Sequence, residues 1–400
     1  MALGFGAAVV VAAWLLVPWG VADGVTPASA SDVFSAAEID RAESFAFVSR
    51  AWSWPGLAIT LLAYALLATR RGTRAVVGRL PGPWWVRSAL AVAVVSLVVR
   101  VVTLPTAIGG YRHRVAHGLS TQTWGGWLRD VAVGLAFDVV VTSLVVVGLI
   151  GLVRRLPRAW PAVAGVVAAG FVVVGSLAYP VVVEPLFNSF EPLPDGPVRQ
   201  GVLDLAEREG VEVGDVLVAD ASRRTTTLNA YVSGIGATKR VVLYDTLLTE
   251  ADKGGSAQDE VMVIVAHELA HAKNHDVLVG TALGALGVGA GVGALGLVLG
   301  RRQRPGPELV PALLAAYVLA VQVSNPLTNT VSRHLEARAD LVSLEVTDAP
   351  DAFIAMQRRL ALRSLADPTP PRVTQWLWGS HPTVLERIGM AQEVEESRTS

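Results

Sequence analysis

Two short segments of this chain carry residue types and spacings that could do chemistry. In His267-Glu268-Leu269-Ala270-His271 two imidazoles stand four positions apart. On a helix those positions share a face one turn apart, so both rings can reach one metal ion. The carboxylate of Glu268, next to the first ring, is the group a zinc hydrolase needs beside its activated water. The second segment, Glu336-Ala337-Arg338-Ala339-Asp340, begins 65 residues beyond His271. Glu336 is the candidate third ligand. Asp340, one helical turn on, is placed to accept a hydrogen bond from a ligand imidazole and so fix its orientation. The chain has no cysteine, so a metal must sit on His, Asp or Glu. These choices predict one Zn2+ per chain on His267, His271 and Glu336, with Glu268 as general base for peptide-bond hydrolysis. An oxyanion would need a donor. His381, in Ser380-His381-Pro382, is the first candidate and Arg387 the second.

The elements that must hold these residues are apolar. The 400 residues have a mean hydropathy of +0.48 and only 17% are charged, too apolar for an ordinary soluble protein. A net charge of −1 gives no footing for a nucleic-acid partner. Seven stretches approach the ~20 residues that cross a bilayer. They lie near Leu3–Val21, Ala51–Ala68, Ser88–Leu104, Val131–Val153, Ala159–Val183, Val277–Leu299 and Leu309–Leu327. The first lacks a basic n-region and is taken as a retained helix, despite Ala28-Ser29-Ala30 behind it. In the sixth, Gly280/Gly284, Gly287/Gly291 and Gly289/Gly293 are spaced four apart, which either lets membrane helices approach closely or reflects a generally small-residue composition. Asp138 falls inside the fourth stretch, either as a functional carboxylate or as a partner for an arginine such as Arg100.

The water-facing parts are Glu184 to about Glu260 and Ser332–Ser400. The first reads as a linker, an amphipathic helix over Val198–Glu209 and strands near Val216–Ala219, Leu228–Val232 and Arg240–Tyr244. A helix over Ser256–Asn274 then carries the metal motif. The predicted fold is mainly α: a multi-pass helical membrane protein with about seven spans and a zinc metalloprotease domain containing a small β-sheet. The predicted divisions are 1–183, a membrane domain of five spans; 184–275, the soluble region with the zinc helix; 276–331, two further spans; and 332–400, a helical C-terminal region bearing the third ligand. Of the 33 basic residues only Lys239, Lys253 and Lys273 are lysines. With the abundance of Ala, Val and Gly this suggests a GC-rich bacterial genome and a bacterial cell membrane.

Several motifs together resemble the type I CAAX prenyl endopeptidases, integral-membrane zinc proteases of the gluzincin type. The resemblance runs from about Pro105 to Arg387. It rests on Pro185-Leu186-Phe187-Asn188 with Pro192-Leu193-Pro194-Asp195-Gly196; on Leu228-Asn229-Ala230-Tyr231; on Lys239 through Leu247; on His267-Glu268-x-x-His271; on Asn329-x-x-Ser332-Arg333-x-x-Glu336-x-x-Ala339-Asp340; and on Ser380-His381-Pro382 with Glu386-Arg387. The loop Tyr111–Ser120 departs from the family's acidic, Gly-Phe-Asn-bearing pattern. The resemblance implies a helical membrane chamber capped by a zinc domain, and cleavage near the C-terminus of a peptide or protein substrate, lipidated in the family. It also implies an edge strand at Asn229 and Ala230 that pairs with substrate backbone, and it supports His381 and Arg387 as transition-state helpers. Competing functions are quality-control proteolysis of membrane proteins and a non-catalytic zinc-binding transporter or sensor; an intact Glu268 argues against the last. Arginines gather at Arg70, Arg71, Arg74 and Arg79, at Arg154, Arg155 and Arg158, and at Arg301, Arg302 and Arg304. The positive-inside rule makes those loops cytoplasmic and turns the zinc region outward. The eukaryotic members of the family imply the opposite.

Overall fold

In a bilayer every backbone polar group must be satisfied within the chain, so the apolar stretches become long helices. The computed structural model describes residues 2–21, 24–234, 239–299 and 305–399. The membrane part comprises α1 (Ala2–Leu16), α2 (Ala30–Val33), α3 (Ala36–Ala68), α4 (Arg70–Val77), α5 (Trp84–Ala116), α6 (Trp124–Arg155), α7 (Trp160–Val182) and α8 (Glu184–Phe187). The soluble region follows with β1 (Phe190–Pro192), α9 (Pro197–Glu209), β2 (Asp215–Ala219), β3 (Ala230–Ser233), β4 (Arg240–Tyr244), α10 (Asp245–Ala251) and α11 (Ser256–Lys273). The chain returns to the membrane in α12 (Asp276–Leu299) and α13 (Val310–Thr347), and ends in α14 (Pro350–Ser364), α15 (Arg372–Trp378) and α16 (Val384–Thr399). Six described helices are long and apolar enough to span a bilayer.

Three predicted boundaries differ from the structure. The first span was expected to reach Val21, but α1 stops at Leu16, just before Pro18 and Gly20. Its 15 residues reach only about 22 Å, less than the ~30 Å hydrocarbon core. A division was expected between 331 and 332, yet α13 runs unbroken for 38 residues through Pro326 and delivers Glu336 on the same helix that spans the membrane. The expected linker after Glu184 contains β1, a three-residue edge strand closing on a proline and too short for periodicity to reveal.

Side-chain absence, rather than side-chain chemistry, seats α12. A Cβ on Gly289 would lie 2.7 Å from the Phe5 ring of α1, and one on Gly296 would lie 2.8 Å from Pro161 of α7. At those two positions the glycines serve close helix approach. At the end of the membrane part where Gly296 lies, Val76 and Val77 share a core with Val92, Ile150, Leu309 and Val310, against which Leu295 packs. Arg154 also donates to the carbonyl of Pro305 at 2.8 Å. The arginine-bearing segments after α3 and α6 therefore meet on one face, with the start of α13 beside them. Arg301, Arg302 and Arg304 lie outside the described residues. Within the membrane part Asp138 accepts hydrogen bonds from Ser96 (3.1 Å) and Thr142 (3.3 Å), and no ion pair joins it to Arg100 among the described residues.

The soluble sheet has the order β1-β2-β4-β3, with β2 and β4 parallel and the outer strands antiparallel to their neighbours. Helix α11 packs under it through Val261, Val265 and Leu269, which join Val202 and Leu205 of α9 and Val216, Val241 and Leu243 of the sheet. Its other side carries Val263 into a second core with Ala337 and Leu344 of α13, Phe353 and Met390. A helix apolar on nearly every side is buried on nearly every side. That burial fixes the rotation of α11 about its axis, and hence where its two histidines point.

Candidate metal centre

His267 and His271 stand one turn apart on α11 with their rings perpendicular and the centroids 4.8 Å apart. Ala337 and Ala339 of α13 are fully buried and leave room for Glu336 to enter between the rings. Glu336 Oε2 lies 3.2 Å from His267 Nε2, and Oε1 lies 3.5 Å from His271 Nε2. The two Nε2 atoms are 3.2 Å apart. Tetrahedral coordination with bonds of about 2.0–2.2 Å has ligand–ligand edges of about 3.3–3.6 Å. The Nε2–Nε2 separation is close to such an edge, the carboxylate turns one oxygen to each ring, and one ligand atom from each of the three residues lies within 4.8 Å of the others. Among the described residues this is the only group of three or more His, Asp or Glu side chains close enough to share an ion.

The cluster is built for positive charge. Burial alone would lower both imidazole pKa values. Hydrogen bonds to Asp340 and Glu336 instead hold His267 above its ordinary range, and hydrogen bonds to Asp276 and Glu336 push His271 up to about 10. Both shifts favour the charged imidazole, so a divalent cation competes with protons at these nitrogens. Glu268 makes no hydrogen bond among the described residues, and burial raises its carboxyl above the usual carboxylate range. That shift suits a group that must accept a proton near neutrality.

His267 Nδ1 is 2.9 Å from Asp340 Oδ1, the contact expected of Asp340. Arg387 then pairs with both oxygens of that carboxylate, through Nε at 2.8 Å and through Nη2. Its guanidinium is engaged by the buried Asp340 carboxylate, and its Nη2 also lies 3.5 Å from His267 Nδ1. His381 is differently placed. Its Nε2 lies 3.4 Å from Glu336 Oε2, and its side chain is 57% exposed, so it borders the open side of the cluster. Helix α13 holds the His381 loop in place: Asn329 donates to the carbonyl of Leu377 (2.7 Å) and Arg333 to that of Gly379 (2.7 Å). Gln375 donates to the carbonyl of His381 itself at 2.7 Å.

Asn229 and Ala230 lie at the start of β3, which pairs only with β4 and leaves its other edge unpaired among the described residues. Asn229 accepts from the Tyr244 N–H at 3.0 Å through its carbonyl. Sequence reasoning missed two features. Arg359 binds Glu260 at 2.7 Å and Glu250 at 2.9 Å, tying the start of α11 to α10 and α14. Asp276 lies 2.8 Å from His271 Nδ1. No motif marks either; an acidic residue five positions after a ligand histidine was the only available cue.

A model of peptidase family M48 matches residues 192–395. The chain belongs to this family. A model described as the CAAX prenyl protease N-terminal region, with five membrane helices, matches residues 28–189 of this M48 peptidase. An uncharacterized metalloprotease of Bacillus subtilis, YhfN, is 30% identical over 317 residues, covering 76% of this chain and 73% of the relative. A CAAX prenyl protease 1 homolog of Arabidopsis thaliana is 30% identical over 71% of this chain and 68% of its own length. The crystal structure of S. mikatae Ste24p superposes with a TM-score of 0.78 at 18% identity, covering 98% of this chain and 97% of that one, and shows the same fold. The M48 peptidase is thus a multi-pass integral membrane metalloprotease that acts on peptide bonds.

Proposed function

We propose that the chain is a zinc-dependent endopeptidase that cuts membrane-associated peptides, C-terminally lipidated ones among them. The convergence of His267, His271 and Glu336 on one point, with Glu268 on the same helix turn, carries this reading. Two imidazoles and one carboxylate with an open fourth position match the donor set of catalytic zinc. Bound there, zinc supplies Lewis acidity to the scissile carbonyl and lowers the pKa of the attacking water. Glu268 takes the proton of that water and returns it to the leaving amine. His381 donates from Nε2 to the developing oxyanion, with the Ser380 hydroxyl in hydrogen-bond contact with its Nδ1 at 2.9 Å. Asp340 orients His267, and Arg387 holds Asp340. The free edge of β3 at Asn229 and Ala230 takes up substrate backbone as an added strand, which gives affinity with little demand on sequence.

The relatives named CAAX prenyl protease support a lipidated substrate class. Quality-control proteolysis at the same centre is the second reading, favoured by a mode of binding that reads backbone. The test is cleavage of quenched fluorescent peptides, with and without a C-terminal prenyl-cysteine motif, by detergent-purified zinc-loaded protein and by Glu268→Gln. Loss of roughly 10²-fold or more in the variant, with zinc retained, is expected. Cutting of the prenylated peptide alone supports the processing role, and cutting of both supports the broader one. Equal activity in Glu268→Gln would sink the mechanism.

A further inference from the structure

The joint between the zinc helix and the next membrane span is unusually tight. Helix α11 ends at Lys273 and α12 begins at Asp276. Between them His275 adopts a left-handed backbone with φ of 56°. A β-carbon disfavours that conformation, although histidine tolerates it better than most residues. The turn folds the first residue of α12 back against the last turn of α11. Asp276 is 7% exposed and both its oxygens are engaged: Oδ2 lies 2.8 Å from His271 Nδ1, and Oδ1 pairs with Arg338 of α13.

Around His267 the order is imidazole, Asp340, Arg387. Around His271 it is imidazole, Asp276, Arg338. The two relays draw on different elements. Asp340 comes from α13 and its arginine from α16, whereas Asp276 comes from the head of a membrane helix and its arginine from α13. In both, a carboxylate on Nδ1 leaves Nε2 directed at the ligand cluster.

We propose that Asp276, held by Arg338, is the positioning residue for His271, so that one zinc ligand takes its ring orientation from the first residue of a membrane span. This rests on the reading of His271 as a ligand. A carboxylate on the distal nitrogen fixes tautomer and rotation and makes the ring more basic, and removing such a partner costs roughly 10–100-fold in metal affinity. The coupling also runs outward. An ion on His271 would in turn anchor the head of α12.

The test uses the full chain in detergent, well below its melting temperature, so that a loss of global stability by itself leaves the metal dissociation constant unchanged. Zinc affinity is read by competition with a chromophoric chelator, and geometry by the visible absorption of the cobalt-substituted protein. Asp276→Ala is expected to weaken zinc roughly 10–100-fold and to alter the cobalt spectrum. Asp276→Asn, which keeps an acceptor oxygen without the charge, should lie between it and the parent, and it serves alone if the alanine variant does not fold. Arg338→Met should give a smaller loss of the same kind. Trp160→Leu, a buried change at the far end of α7, should lower the melting temperature without moving the zinc affinity. If His271→Ala abolishes zinc binding while both Asp276 variants stay within about twofold of the parent with an unchanged cobalt spectrum, the positioning role is refuted and the ligand reading survives. If His271→Ala itself binds zinc normally, the ligand reading fails and takes the proposal with it. Equal losses of affinity in Trp160→Leu and the Asp276 variants would also refute the positioning role.

Discussion

Removing Arg387 separates two accounts of what that residue does. Its guanidinium is 13% exposed and the Asp340 side chain is fully buried, and the two share a pair of hydrogen bonds. Arg387→Met leaves the Asp340 carboxylate buried with only His267 as a partner. Breaking a buried pair from one side costs about 3–5 kcal/mol where the remaining charge is uncompensated, and the His267 imidazole, whose charged form Asp340 favours, offsets part of that here. The expected readout is a fall in melting temperature of roughly 5–15 °C for the metal-free protein in detergent. A second change tests the cause. Arg387→Met with Asp340→Asn removes the stranded charge and should recover part of the loss, so the two substitutions should be strongly non-additive. An oxyanion donor behaves otherwise: its loss lowers kcat by about 10²–10³ and leaves stability alone. A variant that melts like the parent, binds zinc normally and turns over a hundredfold more slowly would refute the placement argued from Asp340.

Three further outcomes follow from the geometry. Since hydrogen bonds outweigh burial and raise His271 from 6.5 to about 10, its stabilising contribution in the metal-free protein is complete below pH 6.5 and is lost as pH rises toward 10. The metal-free melting temperature should fall across that window while the zinc-loaded one stays level, and calorimetry in buffers of different ionisation enthalpy should show about one proton or more released per zinc at pH 7. Gly289→Ala drives a methyl group into Phe5 and should cost about 1–3 kcal/mol, read as a lower melting temperature; Phe5→Ala in the same chain should restore part of it. If the clustered arginine loops are cytoplasmic, a phosphatase fused after Ser400 should be active and a fluorescent protein at the same place dark, and the reverse pattern would place the zinc region in the cytosol.

The candidate ligands and their helix could be read from the sequence because the motif compresses geometry into spacing: His267 and His271 share a face on any α-helix, whatever surrounds it. Asp340 was found by the same arithmetic from Glu336. Arg387 was found as a residue but its pairing with Asp340 was not, since nothing in a linear chain says which side of an imidazole a distant arginine will occupy. Asp276 was missed because its contact depends on one backbone angle at His275, and a left-handed histidine leaves no mark in periodicity. The glycines of α12 stood evenly between two explanations until Phe5 and Pro161 were seen against them. One miss was decided by a local backbone angle and the others by tertiary contact.

The order of the ligands along the chain governs when the centre can exist. After His271 the polypeptide dives through α12, turns and comes back along α13 before Glu336 is reached. A nascent chain that stops short of that return holds two imidazoles and no third ligand. One that stops before the last helix still lacks Arg387 on Asp340. Synthesis therefore places the membrane hairpin between the first half of the blade and the second, and the hairpin must be inserted, with both its ends on one side, before the edge can close. A chain without that hairpin in place lacks the Glu336 carboxylate beside His267 and His271.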